Sequence, residues 1–189
     1  MWETMGSDSR TFRITGTAIL AALVIVFDYA LKFSGLKIPF PWMPFLKFDF
    51  TGIPIVISLL LFGLASAATT SIVACLGIVV RSGDLVGGAM KGMAEFSTVL
   101  GMALGLYITG GKGKAGRLGK VISVITGILS RIAVMSIWNL VVLPYYYGLP
   151  LSAALGMLPL LGVFNGLQGA LTVILGYLLY EAYVRRVPT

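Results

Sequence analysis

The sequence predicts an all-α membrane protein with six transmembrane helices, both termini cytoplasmic and a structured first outer loop. Three observations carry that reading. The 189 residues are 58% hydrophobic with mean hydropathy +0.97. Only 11% are charged, where a soluble domain carries roughly 25%. The Lys and Arg residues are dispersed over loops and ends, a distribution that orientation in the membrane explains. The length suits a single membrane-embedded domain, residues 1–189.

A span needs about 20 mostly apolar residues. Segments 13–33, 92–109, 121–143 and 158–182 meet that requirement directly. The first is too long for the core of a signal peptide, and no small-residue cleavage site follows it, so it reads as an uncleaved span. The stretch 53–80 is too long for one comfortable span and too short for two full ones. Gly63 and the run Ala65, Ser66, Ala67, Ala68 in its middle would fit a tight turn between two short helices, 53–63 and 66–80.

Charge settles the count. With six spans, Lys112, Lys114, Arg117 and Lys120 fall on the same side as Arg10, Arg13, Arg185 and Arg186; with five they fall opposite the N-terminus. Lys/Arg excess marks the cytoplasmic side, so six is the prediction, with outer loops 34–52, 81–91 and 144–157. The net charge of +7 is thereby explained by orientation in the bilayer rather than by nucleic acid.

The first outer loop reads SGLKIPFPWMPFLKFDFTG, with three prolines and five aromatic residues. Such a loop is a structured lid or an aromatic belt at headgroup depth, and the two roles are compatible. The segment 110–120, GGKGKAGRLGK, lacks the spacing of a phosphate-binding loop and reads as a connector facing anionic lipid.

The chain holds no His and a single Cys75, which excludes an intrachain disulfide, the Ser–His and Cys–His dyads, and the commonest metal ligand. No metal site is predicted. Polar residues within the apolar spans are then the informative ones, because each costs free energy unless partnered. Asp28, Glu95, Asn139, Asn165 and Gln168 all fall in the outer halves of their spans, and Asp49 lies in the outer loop. Arg131, two turns below Asn139, is deeper and needs an anionic or carbonyl partner. Asn165 and Gln168, three residues apart, share a helix face. Their amides each carry donor and acceptor and would complement the alternating N–H and C=O of an imide or lactam. Trp138, Tyr145, Tyr146 and Tyr147 would supply flat walls. The plainer alternative is interhelical amide bonding, worth about 0.6–2 kcal/mol per contact; two amides at one depth beside aromatics favour a ligand. Asp28 and Glu95 could instead pair as general acid and base of a small intramembrane enzyme, but a salt bridge to Arg131 or Lys91 explains them more simply. The spacings Ala18-x-x-x-Ala22 and Gly101-x-x-x-Gly105 allow close helix approach, and the alanines offer a face to another membrane subunit.

These segments resemble the substrate-binding S components of energy-coupling factor (ECF) vitamin transporters, most of all the riboflavin-specific type. The likeness is carried by LKFDFTGIP (46–54), LFG (61–63), RIAVMSIWNLVVLPYYYG (131–148) and FNGLQG (164–169). It implies a plasma-membrane vitamin receptor without catalytic cofactor, working with a membrane scaffold subunit and two cytoplasmic ATPase subunits. Riboflavin or FMN would be the transported ligand; thiamine, pantothenate or a pterin would be the alternative within the family. Asn139 and Asn165 would hold the isoalloxazine edge. Leu46, Lys47, Phe48 and Asp49 would line or cover the pocket, with Gln168, Glu95 and Tyr145 contributing and Ala18 and Ala22 facing the scaffold. The chain departs from the riboflavin-type pattern at Thr51-Gly52, where Ser-Asp is usual, and at Gln168, where Lys is usual.

Overall fold

Gly63 decides how the ambiguous apolar stretch folds. Its φ of +98° lies in a region that side chains disfavour, and that single residue separates α2 (Gly52–Phe62) from α3 (Leu64–Ser82). Its N–H donates to Leu59 O at 3.0 Å. The small-residue run 65–68, predicted to take part in the turn, lies inside α3 instead. One glycine suffices to reverse the chain, and alanine is the best helix former.

The computed structural model describes residues 4–110 and 116–186, with side chains from residue 10 onward; Lys112 and Lys114 of the basic connector lie outside the described residues. The remaining helices are α1 (Thr4–Phe33), α4 (Leu85–Ile108), α5 (Arg117–Tyr145) and α6 (Leu151–Arg186). Among the described residues, four helices are long and apolar enough to cross a membrane: α1 over Arg10–Phe33, α3, α5 and α6. These mark a multi-pass membrane protein. The α2 helix, at 11 residues, extends only about 16 Å. It is buried on nearly all sides, including Ile53, Ile55, Val56, Leu59 and Leu60, and packs among α1, α3, α4 and α6.

Two expected outer loops prove shorter. Gly83 ends α3 with φ +68°, its N–H bonding Val79 O at 2.8 Å. The next residue, Asp84, caps α4 by accepting from Gly87 N at 2.7 Å. A glycine stop followed by an acidic cap therefore starts α4 at residue 85, not 92. Most of the expected loop 81–91 becomes helix, which stacks Lys91 and Glu95 on successive turns. Likewise, 144–157 shortens because α5 runs through Pro144 and α6 begins at Leu151.

The all-α expectation fails in one place. Within the first outer loop, β1 (Ile38–Phe40) and β2 (Met43–Phe48) form an antiparallel hairpin, pairing Ile38 with Phe48, Pro39 with Lys47 and Phe40 with Met43. Aromatic residues suit a pleated, half-buried ribbon. Its inner face buries Phe40 and Met43 with Leu143, Leu161 and Phe164; Ile38 and Trp42 stay exposed, while Phe45 borders the space beneath the hairpin. The loop therefore offers both a covering face and an apolar outer face.

The two ends of the bundle differ in composition. Arg13 Nη2 donates to Phe62 O at 3.2 Å, and Lys120 pairs with Glu181 at 2.6 Å. These contacts bring the starts of α1 and α5 to the ends of α2 and α6, so both described chain ends lie at one end of the bundle. There α4 and α5 pack closely: a Cβ at Gly101 would come within 3.0 Å of Gly127 Cα, and one at Gly105 within 2.7 Å of Ser123 Cα. At the other end α4, α5 and α6 spread beneath the hairpin.

Candidate functional site

The space beneath the hairpin is a cavity of about 700 Å³, within the usual range for small-molecule sites. Its wall on α5 follows from helical periodicity: Arg131, Met135 and Asn139 recur every four residues and are all buried. Leu161, Phe164, Asn165 and Gln168 of α6 face them, while Met90, Lys91 and Ala94 of α4 and Leu46, Lys47 and Asp49 of the loop close the sides.

Charged groups run through this end as a connected series. Asp28 of α1 pairs with Arg81 of α3 at 2.7 Å and with Lys37 at 2.6 Å. Lys37 lies 3.9 Å from Asp49, which pairs with Lys91 at 2.7 Å. Lys91 also pairs with Glu95 at 2.9 Å, and Glu95 with Arg131 at 3.1 Å. Breaking a buried pair from one side costs several kcal/mol, so the series fixes the loop, α4 and α5 relative to one another. Burial pushes the Asp49 carboxyl upward, but Lys91, the Thr51 hydroxyl and Lys37 outweigh it and hold it at about 2.

The beginning of α2 lies behind the cavity wall, against Glu95 and Thr172. A Cβ at Gly52 would come within 2.6 Å of Thr172 Cγ2 and 2.9 Å of the Glu95 carboxyl carbon. This gives the Thr51-Gly52 departure a physical reason: Glu95 occupies the space a side chain would need. The positive N-terminal end of α2 also favours a carboxylate there.

The sequence-derived site residues divide into four groups. Asn139 and Asn165 face the cavity, as do Leu46, Lys47 and Asp49. Asn139 Nδ2 donates to Met135 O at 2.7 Å and Asn165 Nδ2 to Leu161 O at 2.9 Å. Each amide therefore keeps a second N–H, and among the described residues nothing donates to Asn139 Oδ1. Gln168 borders the cavity but has its amide engaged: Nε2 donates to Asp49 O at 2.8 Å and to Thr172 Oγ1 at 3.2 Å, while Oε1 accepts from Asp49 N at 3.3 Å. It holds the end of the hairpin to α6. Phe48 stands behind the wall, its ring 5.1 Å from that of Phe164, and Glu95 lies behind Lys91 and Arg131.

Tyr145 is displaced from its expected place, being 88% exposed at the end of α5, on a different face from Asn139. Trp138 and Tyr146 also lie off the cavity, and only Tyr147 of the aromatic run borders it. Asp28 and Glu95 stand apart in the ion-pair series, joined through Lys37, Asp49 and Lys91, and share no hydrogen-bond partner. Sequence reasoning missed Met135 and Phe164 as walls and treated Lys91 only as a partner for a carboxylate. The signal for Lys91 was Gly83-Asp84, which starts α4 early enough to place it one turn before Glu95. Among the described residues there is no His/Cys/Asp/Glu cluster suited to a metal ion.

No protein-family model matches the chain, and no curated protein does. Among solved structures, it is similar to one described as the S component of a bacterial ECF transporter. The two share 23% sequence identity with a TM-score of 0.75, over 95% of this chain and 99% of that one. The folds are therefore alike from end to end.

Proposed function

We propose that this chain is the membrane-embedded vitamin-binding subunit of an ECF-type importer, and that its ligand is riboflavin or FMN. The observation that carries the reading is the cavity between the hairpin and α4–α6, where Asn139 and Asn165 present free amide positions beside apolar walls. The whole-length likeness in fold to an S component supports it, as does the resemblance of segments 46–54, 131–148 and 164–169. In this reading the six-helix bundle, with the short α2 buried inside it, is embedded in the plasma membrane with both termini cytoplasmic, which puts the cavity on the outer side. The chain binds and delivers; a scaffold subunit and two ATPase subunits supply the energy. Ala18 and Ala22 are exposed on α1, as a helix face reserved for the scaffold requires.

Purification followed by fluorescence titration tests the ligand. A flavin-binding chain quenches added riboflavin and can purify yellow. Colourless protein with no quenching by micromolar riboflavin overturns the flavin assignment. A second vitamin in the same pocket remains a specific alternative because Gln168, which stands where the riboflavin pattern has Lys, is bonded to the Asp49 backbone. Replacing Ala18 and Ala22 by bulky residues tests the partner: ligand binding persists while uptake through the assembled transporter falls. Wild-type uptake would remove that face from the docking surface.

A further inference from the structure

Arg131 is 3% exposed and borders the cavity. Its Nη1 donates to Glu95 Oε1 at 3.1 Å, Thr98 Oγ1 at 3.2 Å and Ala94 O at 3.5 Å. Its Nε donates to Asn165 Oδ1 at 3.3 Å. Nη2 has no acceptor among the described residues. The described side-chain atoms sealed from solvent without a partner are Ser58 Oγ and Trp138 Nε1; Nη2 therefore meets open space, at the cavity that Arg131 borders, where an acceptor would complete the guanidinium. The fixed fork of the group means that Nε and Nη1 together set the direction in which Nη2 points.

Beside Arg131 the buried charges are matched one for one, Lys91 and Arg131 against Asp49 and Glu95, while Lys47 and Asp84 of the lining are exposed. A charged ligand group buried here would add an uncompensated charge. A neutral carbonyl meets the free edge without that penalty. Two turns along α5, Asn139 Oδ1 awaits a donor, about 12 Å away along the helix axis.

We infer that Arg131 is a ligand-contacting, specificity-determining residue, and that it selects an uncharged keto-heterocycle whose carbonyl accepts from Nη2. This rests on the reading of the cavity as a vitamin site, but it constrains the ligand independently of the flavin. Flavins and pterins carry such a carbonyl. Thiamine is a cation without one, and pantothenate carries a carboxylate.

The test is a thermal-shift and titration panel on the full chain in detergent, using riboflavin, a pterin, thiamine and pantothenate as probes. The wild type binds riboflavin or the pterin and neither of the other two. Arg131→Lys, which keeps a cation for Glu95, weakens that binding at least about tenfold, as expected for losing a charged hydrogen bond. The paired variant Arg131→Met with Glu95→Gln removes both charges together and serves if the first variant fails to fold; it too loses binding while melting cooperatively without ligand. Pterin binding without riboflavin binding overturns the flavin assignment and upholds the role of Arg131. Riboflavin binding unchanged in a folded Arg131 variant does the reverse. Binding of thiamine or pantothenate, or of none of the four, overturns the inference.

Discussion

The same helices, α4, α5 and α6, behave differently at their two ends. Near the chain termini, Gly101 and Gly105 of α4 lie against Ser123, Thr126 and Gly127 of α5, and the interior is a closed apolar cluster including Leu59, Met102, Leu106 and Val173. At the other end the same faces carry Arg131, Met135 and Asn139, and the helices part around a cavity. Backbone orientation does not separate the ends, since the periodicity is continuous. Side-chain length does: small residues let helix backbones touch, while long polar ones hold them apart and need partners of their own. One end therefore holds the bundle together and the other leaves a cavity.

Removing a single member of the ion-pair series has the largest expected effect. Glu95→Ala leaves Arg131 and Lys91 short of a buried counter-charge and costs about 3–5 kcal/mol, read as a lowered thermal midpoint in detergent together with loss of ligand binding. A variant as stable as the wild type would mean that water reaches the cavity end freely enough to screen these charges.

Acid probes the same network without mutation. Asp49 titrates at about 2 in the fold against 3.8 for an ordinary aspartate. A group whose folded pKa is depressed contributes stability above its unfolded pKa and loses it as pH falls through the folded one. The difference corresponds to roughly 2 kcal/mol, present above about pH 4 and lost between about pH 4 and 2. Asp49→Asn removes that sigmoid from the stability–pH curve; an unchanged curve would show that the hairpin end is not electrostatically held.

The closed end responds to volume instead. Gly105→Leu drives a side chain into the Ser123 backbone and costs about 1–3 kcal/mol by overpacking, while ligand affinity per folded molecule stays within a factor of two or so of wild type. A matching loss of affinity would mean that the two ends are mechanically coupled. At the small extreme, Tyr145→Ala changes both stability and ligand affinity by less than about 0.5 kcal/mol, as for other exposed positions, and a larger loss of affinity would return Tyr145 to the site.

Much of this architecture was legible before any coordinates. Apolar length and charge alternation located the helices, and the cost of polar groups in apolar spans singled out Asn139, Asn165 and Arg131. What escaped was what depends on pairing between distant segments. Gln168 is identical in sequence terms to a ligand-facing amide; only the return of Asp49 across 119 residues engages both ends of its side chain. Tyr145 shares its neighbourhood with Asn139, yet the six-residue offset turns it to another face of α5.

By itself the sequence determined the membrane character, the presence of the long helices and the polar residues set within them, because hydropathy and helical period are local properties. The tertiary structure alone decided that the proline-rich loop folds as a hairpin onto α6. It also decided which cations claim Asp28, Asp49 and Glu95, and that Arg131 Nη2 has no acceptor among the described residues. Those outcomes depend on which groups meet after the chain has turned back on itself, and no one-dimensional pattern encodes that geometry.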